Sequence, residues 1–392
     1  MVLAGCQQWL SRVPVAQHKV VKLMRAAITR YEAAHEAMGT EFTLVAYGDD
    51  PQHLTAVGNE VFDEIDRLED QMSIYKPKSE LSVINRTAAS KSVCVEPKLF
   101  ELLVNAVGHS QSTGGAFDVT AGPLMKAWGF FRGKGHVPAN SEITQVLRRV
   151  GHRHVHLNRA ERTIRFDVEG IELDLGAIGK GYAVDRAVDI LRRCGVTRAL
   201  VSSGTSSLYA LGAPPGARGW SISLRNPYDS EKAANVIYLL NCSLSTSGNY
   251  EKFFKQGAKT YAHILNPSTG KPVENMLAAI VLARCACDAD ALSTAFFVMG
   301  VERSQEYLAT RRDLMALFYL PRSGGQGFRR AMLRSFCSNG IGAFFPRTRQ
   351  RKSRATGAGT SVGLPAAFPA GGEQHGRTIH HYGIKKTAVA PG

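Results

Sequence analysis

The sequence lacks most of the features that assign a chain quickly. Its seven cysteines, Cys6, Cys94, Cys194, Cys242, Cys285, Cys287 and Cys337, are odd in number, scattered and never in CxxC spacing, which excludes a disulfide framework and a zinc ribbon. No apolar run approaches the length of a membrane-spanning helix. Acidic residues are nearly missing from the last stretch: residues 322–392 hold 12 Lys/Arg and 1 acid, leaving 36 basic and 32 acidic residues to the rest. The net charge of +15 therefore belongs mostly to the tail. No motif interleaves aromatic with basic residues, so no nucleic-acid partner is expected. What remains is an ordinary globular composition in 392 residues, enough for two domains or one elaborate one.

The most informative stretch runs from Ile171 to Asp185, where an apolar alternation enters three glycines and then a helix-like pattern. It reads as a strand delivering a loop to a ligand. Gly176, Gly179 and Gly181 let backbone N–H groups approach an anion, and Lys180 adds a mobile positive charge, a combination suited to phosphate oxygens at a helix N-terminus. Asp174 and Gly181 stand where a P-loop needs Gly and Ser/Thr, and the dinucleotide fingerprint is incomplete. A glycine-rich turn capping a helix is the other reading.

Along the chain, residues 7–30 read as a basic spacer or first helix, and Ala34–Ala46 as a strand entered through Met38-Gly39-Thr40. Val57, Val61, Ile65 and Leu68 mark a long amphipathic helix ending near Gln71. Tyr75 follows in an exposed loop, either a platform for a planar ligand or a ring packed on its own domain. Helices are expected over 97–112 and 141–150, and the glycine-rich 113–124 between them as loop rather than core. His152, His154 and His156 would share one face of a strand, without a cysteine or acid to complete a metal site. Ala183–Cys194 reads as a helix, and strands are expected at 198–202, 220–224, 234–240 and 279–284. His263 sits at a strand end, as a structural or a functional histidine. Asp290 and Thr294, four apart, would present a carboxylate and a hydroxyl on one helix face, as hard ligands for magnesium or as an ordinary helix start. Beyond Leu320 the texture turns to Gly, Ala, Arg, Ser and Pro without periodicity, and 322–392 reads as a disordered tail or a spurious extension.

At the other end Leu3-Ala4-Gly5-Cys6 resembles a lipobox, the site at which bacterial lipoprotein precursors are cleaved and lipidated, although the charged and apolar regions that precede one are absent. The expectation is a longer precursor attached through lipidated Cys6 to the periplasmic face of the inner membrane.

The order of the motifs carries more than any one of them. Met38-Gly39-Thr40-x-Phe42, Ser73-x-Tyr75 running to Ser79-Glu80-Leu81-Ser82, Gly115-Ala116-Phe117-Asp118-Val119-Thr120, Asp174 to Asp185, Thr246-Ser247-Gly248-x-Tyr250, His263-Ile264-x-x-Pro267-x-Thr269-Gly270 and Asp290-Ala291-Leu292-Ser293-Thr294 together resemble the ApbE family of FAD:protein FMN transferases. The resemblance spans about residues 34–320. It implies an α+β fold of mixed sheets and packed helices over 34–321, between an N-terminal segment 1–33 and the tail. It also implies magnesium-dependent cleavage of the FAD pyrophosphate, attachment of FMN to a Thr or Ser hydroxyl of a target protein, and release of AMP. By position in the motifs, Met38, Tyr75, Ala116, Phe117, Asp118, Asp174, Lys180 and Ile264 would contact FAD. Ala177, through its carbonyl, with Asp290, Thr294 and Ser293 would hold Mg2+, and His263 would be the active-site histidine, assigned as base. The loop Ser202-Ser203-Gly204-Thr205-Ser206 departs from the family by lacking paired glycines and an Asp or Asn. A non-catalytic FAD-binding lipoprotein would share the same loops.

Overall fold

The computed structural model describes residues 28–131, 134–311, 313–322, 327–334 and 342–344; Cys6 with its lipobox, and the tail from 345 onward, lie outside the described residues. The chain opens with a hairpin, β1 (Thr29–Ala37) and β2 (Thr40–Gly48), turned by Met38 and Gly39 at φ 53° and 70°. Two consecutive positive φ values make the mirror-type turn whose twist matches the strands. The first strand thus starts at Thr29, inside the stretch read as spacer, because Tyr31, Ala33 and His35 alternate half-buried with exposed Arg30, Glu32 and Glu36. Asp50 caps α1 (Pro51–Met72) by accepting from the Gln52 and His53 amides, and Leu54, Val57, Val61, Ile65 and Leu68 form its buried stripe.

Then come α2 (Glu80–Thr87), β3 (Val93–Cys94), α3 (Pro97–Ser112), α4 (Gly122–Ala127), α5 (Asn140–Leu147), β4 (Val155–Asn158), β5 (Thr163–Phe166) and α6 (Gly179–Arg193). Strands β6 (Ala199–Ser203), β7 (Ser207–Leu211), β8 (Trp220–Asn226), β9 (Asp229–Leu240) and β10 (Cys242–Gly248) precede three short ones and β14: β11 (Phe253–Gln256), β12 (Lys259–Ala262), β13 (Leu265–Asn266), β14 (Lys271–Pro272). Last are β15 (Ala278–Ala283), α7 (Ala286–Ala309), β16 (Met315–Pro321), β17 (Phe328–Arg334) and β18 (Gly342–Phe344). Gly300, at φ 77° and ψ −177°, kinks α7.

An eight-stranded antiparallel sheet in the order β1-β2-β6-β7-β10-β15-β16-β17 is the frame. Both its faces are covered, so β15 and β16 are apolar throughout rather than alternating, while β10 turns the hydroxyls of Ser243, Ser245 and Ser247 inward. In β15 Ala279, Val281 and Ala283 face the core shared with α1, α6 and α7, while Ala278, Ile280 and Leu282 face the small β8–β9 sheet through Trp220, Ile222 and Ile237. β16 divides the same way, Ala316 and Phe318 against Met315, Leu317 and Tyr319. A satellite core of Leu124, Trp128, Ile143, Val150 and Leu265 joins α4 and α5 to the β11–β14 hairpins. The antiparallel frame with helices on one face is α+β, as expected.

Three expectations need correction. Residues 328–334 are not disordered: they pair with β16 from Met315↔Arg334 to Pro321↔Phe328, and Gly342–Phe344 pairs with β9. The alternation of half-buried Phe328, Ala331 and Leu333 with exposed arginines is that of an edge strand, which charge keeps from pairing further. Residues 113–124 are core as much as loop, with Phe117, Val119, Thr120 and Leu124 buried. His152–His154 form a 3-10 turn, so the three histidines share no strand face: His152 bonds Asp118, while His154 and His156 both bond Asp167.

Candidate active site

The segment Ile171–Leu175 alternates buried and half-buried residues as a strand would, yet it joins no sheet. Its backbone is satisfied by other means: the Asn85 amide donates to the Leu173 carbonyl (2.9 Å) and accepts from the Leu173 N–H (2.8 Å), and the Asp174 N–H donates to the Val119 carbonyl (2.8 Å). The chain then turns through Gly176–Ile178 into α6. Asp174 accepts from the Gly176 N–H at 2.8 Å, and burial holds its carboxyl above the usual range against that bond and the charge of Lys180. Lys180 reaches back to donate to the Gly176 carbonyl at 3.0 Å. Ala177, half-buried, lies in this turn.

Gly181 explains the helix pairing. A Cβ there would stand 2.1 Å from the Ala286 carbonyl oxygen and 2.7 Å from Asp290 Cβ, so the glycine serves the contact with α7 rather than an approaching anion. The contact lets the Gly181 N–H donate to Asp290 Oδ2 at 2.9 Å, while Ser245 Oγ lies 3.1 Å from Asp290 Oδ1. Asp290 is 4% exposed, and hydroxyls surround it. Ser247 Oγ is 2.8 Å from Ser293 Oγ and 3.0 Å from Thr294 Oγ1, Ser293 donates to the Asp290 carbonyl at 2.9 Å, and Ser207 Oγ is 2.9 Å from Ser245 Oγ. One turn along α6 from Gly181, Asp185 accepts from the Ala286 and Cys287 amides at 2.7 and 2.8 Å; burial pushes its carboxyl up to about 6.

His263 stands beside the satellite core, against which Phe130 packs. Its backbone N–H and its Nδ1 both lie 3.1 Å from the Lys252 carbonyl, which fixes Nδ1 as the protonated nitrogen and leaves the Nε2 lone pair as the basic site. Burial, together with Lys252 and Lys180, pushes the imidazole down to about 4, so it is neutral at physiological pH. Phe130 packs edge-on at 6.4 Å, and the next residue, Phe131, stacks on Tyr75 at 4.7 Å and 6°. Tyr75 is 44% exposed, but one face of its ring is already covered. Met38 is tied to the same neighbourhood: its N–H donates to Glu69 Oε2 (2.7 Å), and Lys76, one residue past Tyr75, pairs with Glu69 and Asp70. Ile264 is buried and accepts from the Val273 N–H at 3.0 Å.

Asp174, Lys180, Lys252 and His263 thus lie in one electrostatic neighbourhood, and Asp290, Ser293 and Thr294 form one hydrogen-bonded cluster beside Lys180. Ala116, Phe117 and Asp118 are all buried, in the loop whose Val119 carbonyl takes the Asp174 N–H. The Asp118 carboxylate takes the Thr120 N–H and hydroxyl on Oδ1 and the His152 N–H and Nδ1 on Oδ2, so its side chain secures the loop. Ser245 and Ser247 hold Asp290, Ser293 and Thr294, and Asp185 holds the start of α7, without having been singled out from sequence. The loop lacking paired glycines is a tight β6–β7 turn, and its serines extend the hydroxyl cluster through the Ser206 carbonyl, 3.1 Å from Ser245 Oγ.

Comparison with known proteins places this geometry. The model of the ApbE family matches residues 38–318. The FAD:protein FMN transferase of Treponema pallidum is 33% identical over 313 residues, covering 76% of this chain and 86% of that protein. The protein of the same name from Klebsiella pneumoniae is 33% identical over 293 residues, 74% and 88% of the two chains. Among solved structures, the ApbE protein of Thermotoga maritima superposes with TM-score 0.70 at 29% identity over 79% of this chain and 97% of its own. The flavin transferase ApbE of Vibrio cholerae does so with TM-score 0.70 at 26% identity over 79% and 99%.

Proposed function

The chain belongs to the ApbE family, and we propose that it moves the FMN half of FAD onto a Thr or Ser hydroxyl of a target protein, with Mg2+ present and AMP released. Its membership makes it a transferase carrying flavin from FAD to protein. The observation that carries the finer reading is the α6–α7 contact, which sets Lys180 beside a buried Asp290 ringed by hydroxyls.

The donor set suits magnesium. Asp290 contributes a carboxylate, Thr294 and Ser293 hydroxyls, and Ala177 a carbonyl, all hard oxygens with one carboxylate among them. No group of three His, Cys, Asp or Glu competes among the described residues. Magnesium takes few protein carboxylates and shares its shell with substrate phosphates. Bound there, the ion supplies charge neutralisation at the pyrophosphate.

The chain's own residues do the rest. Lys180 neutralises phosphate charge from the start of α6, and Tyr75, partly exposed and stacked on Phe131, supplies an aromatic ring for the planar end of the substrate. Met38, Ala116, Phe117, Asp118, Asp174 and Ile264 line the flavin nucleotide. The acceptor hydroxyl oxygen bonds to the phosphorus of the FMN half as that phosphorus loses its oxygen bridge to AMP, and the hydroxyl proton passes to His263 Nε2. With the imidazole depressed to about 4, His263 is ready to accept throughout the neutral range. The acid limb of the pH profile lies well below neutrality, not near it.

Incubation with FAD, Mg2+ and a Thr-bearing acceptor protein tests the reading: AMP and protein-bound FMN should appear in equal amounts and vanish with EDTA. FAD held without AMP formation would make the chain a binding protein. We also propose membrane attachment through lipidated Cys6 at the periplasmic face, supported by Leu3-Ala4-Gly5-Cys6. Labelled palmitate should enter the protein expressed with its upstream region, and Cys6→Ala should prevent it.

A further inference from the structure

Helix N-termini leave their first amides without partners inside the helix, and a side chain from the preceding residue usually takes one of them. In α7 Cys285 does so, its Sγ accepting from the Asp288 N–H at 3.3 Å. The amides of Ala286 and Cys287 go instead to Asp185, 101 positions before Ala286, on the neighbouring helix: one carboxylate oxygen to each, at 2.7 and 2.8 Å. A carboxylate spanning two successive amides fixes both the rotation of α7 and its height along its axis.

On α6, Asp185 lies four residues after Gly181 and therefore on the same face. On α7, Asp290 lies four residues after Ala286. The two helices are consequently clasped twice at one spacing, Asp185 to the amides of Ala286 and Cys287, and the Gly181 N–H to Asp290 Oδ2 at 2.9 Å. The second clasp is close only because Gly181 has no side chain; the Ala286 carbonyl would lie 2.1 Å from a Cβ there. Slippage at the first clasp displaces Asp290, Ser293 and Thr294 together, since all three ride on the first three turns of α7.

We propose that Asp185 is a positioning residue for the metal site: it sets the register of α7 against α6 and so places the oxygen ligands that α7 carries. The proposal rests on the magnesium reading given above. Asparagine cannot replace it, because one side-chain oxygen would meet one amide while the side-chain NH2 would face the other amide donor to donor.

The test is Mn2+ binding to the purified full-length protein, followed by loss of the free-ion EPR signal with and without FAD, in parallel with Mg2+-dependent FMN transfer and melting temperature. Asp185→Asn is expected to weaken metal binding about tenfold, the lower end of what outer-shell changes cost. Transfer at saturating metal should stay within a few fold of wild type. Ile237→Val, a buried change in β9 in the core on the other face of the sheet, should lower the melting temperature without moving metal affinity. Should Asp185→Asn fail to fold, Asp185→Glu, which keeps both oxygens on a longer stem, carries the same measurement. Undiminished metal binding by the Asp185 variant, alongside its loss in Asp290→Ala, overturns the proposal. Equal binding by wild type and Asp290→Ala overturns the magnesium reading and the proposal with it.

Discussion

The two halves of the candidate site are built differently. The α6–α7 side is part of the main core: Asp290 and Ser293 are buried, and Gly181, Asp185, Ser245 and Ser247 hold their neighbours by hydrogen bonds of 2.7–3.1 Å. The His263 side rests on the satellite core and on the short β11–β12 hairpin, whose Phe253 is half exposed and whose Lys255 and Lys259 face solvent. Charge placement asks for the first kind of construction, because a ligand set loses its value with small displacements. Admitting a second protein asks for the second, a basic group on a small element at an open edge. One side is over-determined and the other merely held.

The largest expected effect lies on the rigid side. Asp290→Ala removes the only carboxylate of the proposed metal set, and transfer at saturating FAD should fall by at least about 10^3, matching several kcal/mol of lost charge stabilisation. Metal-independent transfer by the variant at the wild-type rate would count against the assignment. On the other side His263→Asn should lower single-turnover transfer by roughly 10^2 to 10^4 with FAD affinity kept. If FAD affinity and melting temperature fall together while turnover per folded, FAD-loaded molecule stays normal, His263 is a packing residue and the contrast between the halves is one of stability alone.

How far the sequence shows this contrast follows from which interactions leave a periodic trace. The apolar runs at 199–201 and 278–283 and the stripe Val57, Val61, Ile65, Leu68 are repeated burial, and they read correctly as central strands and helix. The positions of Asp290 and Thr294 on one face follow from helical spacing. What stayed hidden depends on distant partners. Ile171–Leu175 alternates like a strand but is satisfied by Asn85 and Val119; Phe117, among glycines, is buried in the main core and packs against His109. The hydroxyls of Ser245 and Ser247 look like ordinary strand serines until α7 is laid over them. Gly181 looks like an anion-binding glycine until Ala286 is seen against it.

The third effect concerns the edge of the frame that both halves share. Truncation after Arg322 removes β17 and β18, exposing the β16 edge and the Tyr319 ring that packs 4.9 Å from Phe328. Burial of Phe328, Ala331 and Leu333 is partial, so the loss should be roughly 3 kcal/mol, or about 5–10 °C in melting temperature. An unchanged melting temperature would show that the strand adds nothing to the frame.

The smallest effect separates the halves by the sign of their response to acid. Asp185, on the rigid side, has its carboxyl raised by burial from 3.8 to about 6, so the folded state binds its proton first and stability from this group rises as pH falls from about 6 toward 3.8. His263 has its imidazole lowered by burial from 6.5 to about 4; the unfolded chain binds that proton first, and stability from this group, complete above 6.5, is lost as pH falls toward 4. In the wild type the two trends oppose each other, which makes the wild-type curve alone uninformative. The difference between wild type and His263→Asn isolates the histidine. Between neutral pH and about pH 5 the wild type should lose roughly 1–2 kcal/mol more stability than the variant, allowing for partial solvent screening of a half-buried ring. Denaturant unfolding of both proteins at the two pH values measures it. Parallel losses would place His263 in water-like surroundings, with an ordinary proton affinity and the acid limb of the transfer profile near pH 6.5 instead of well below it.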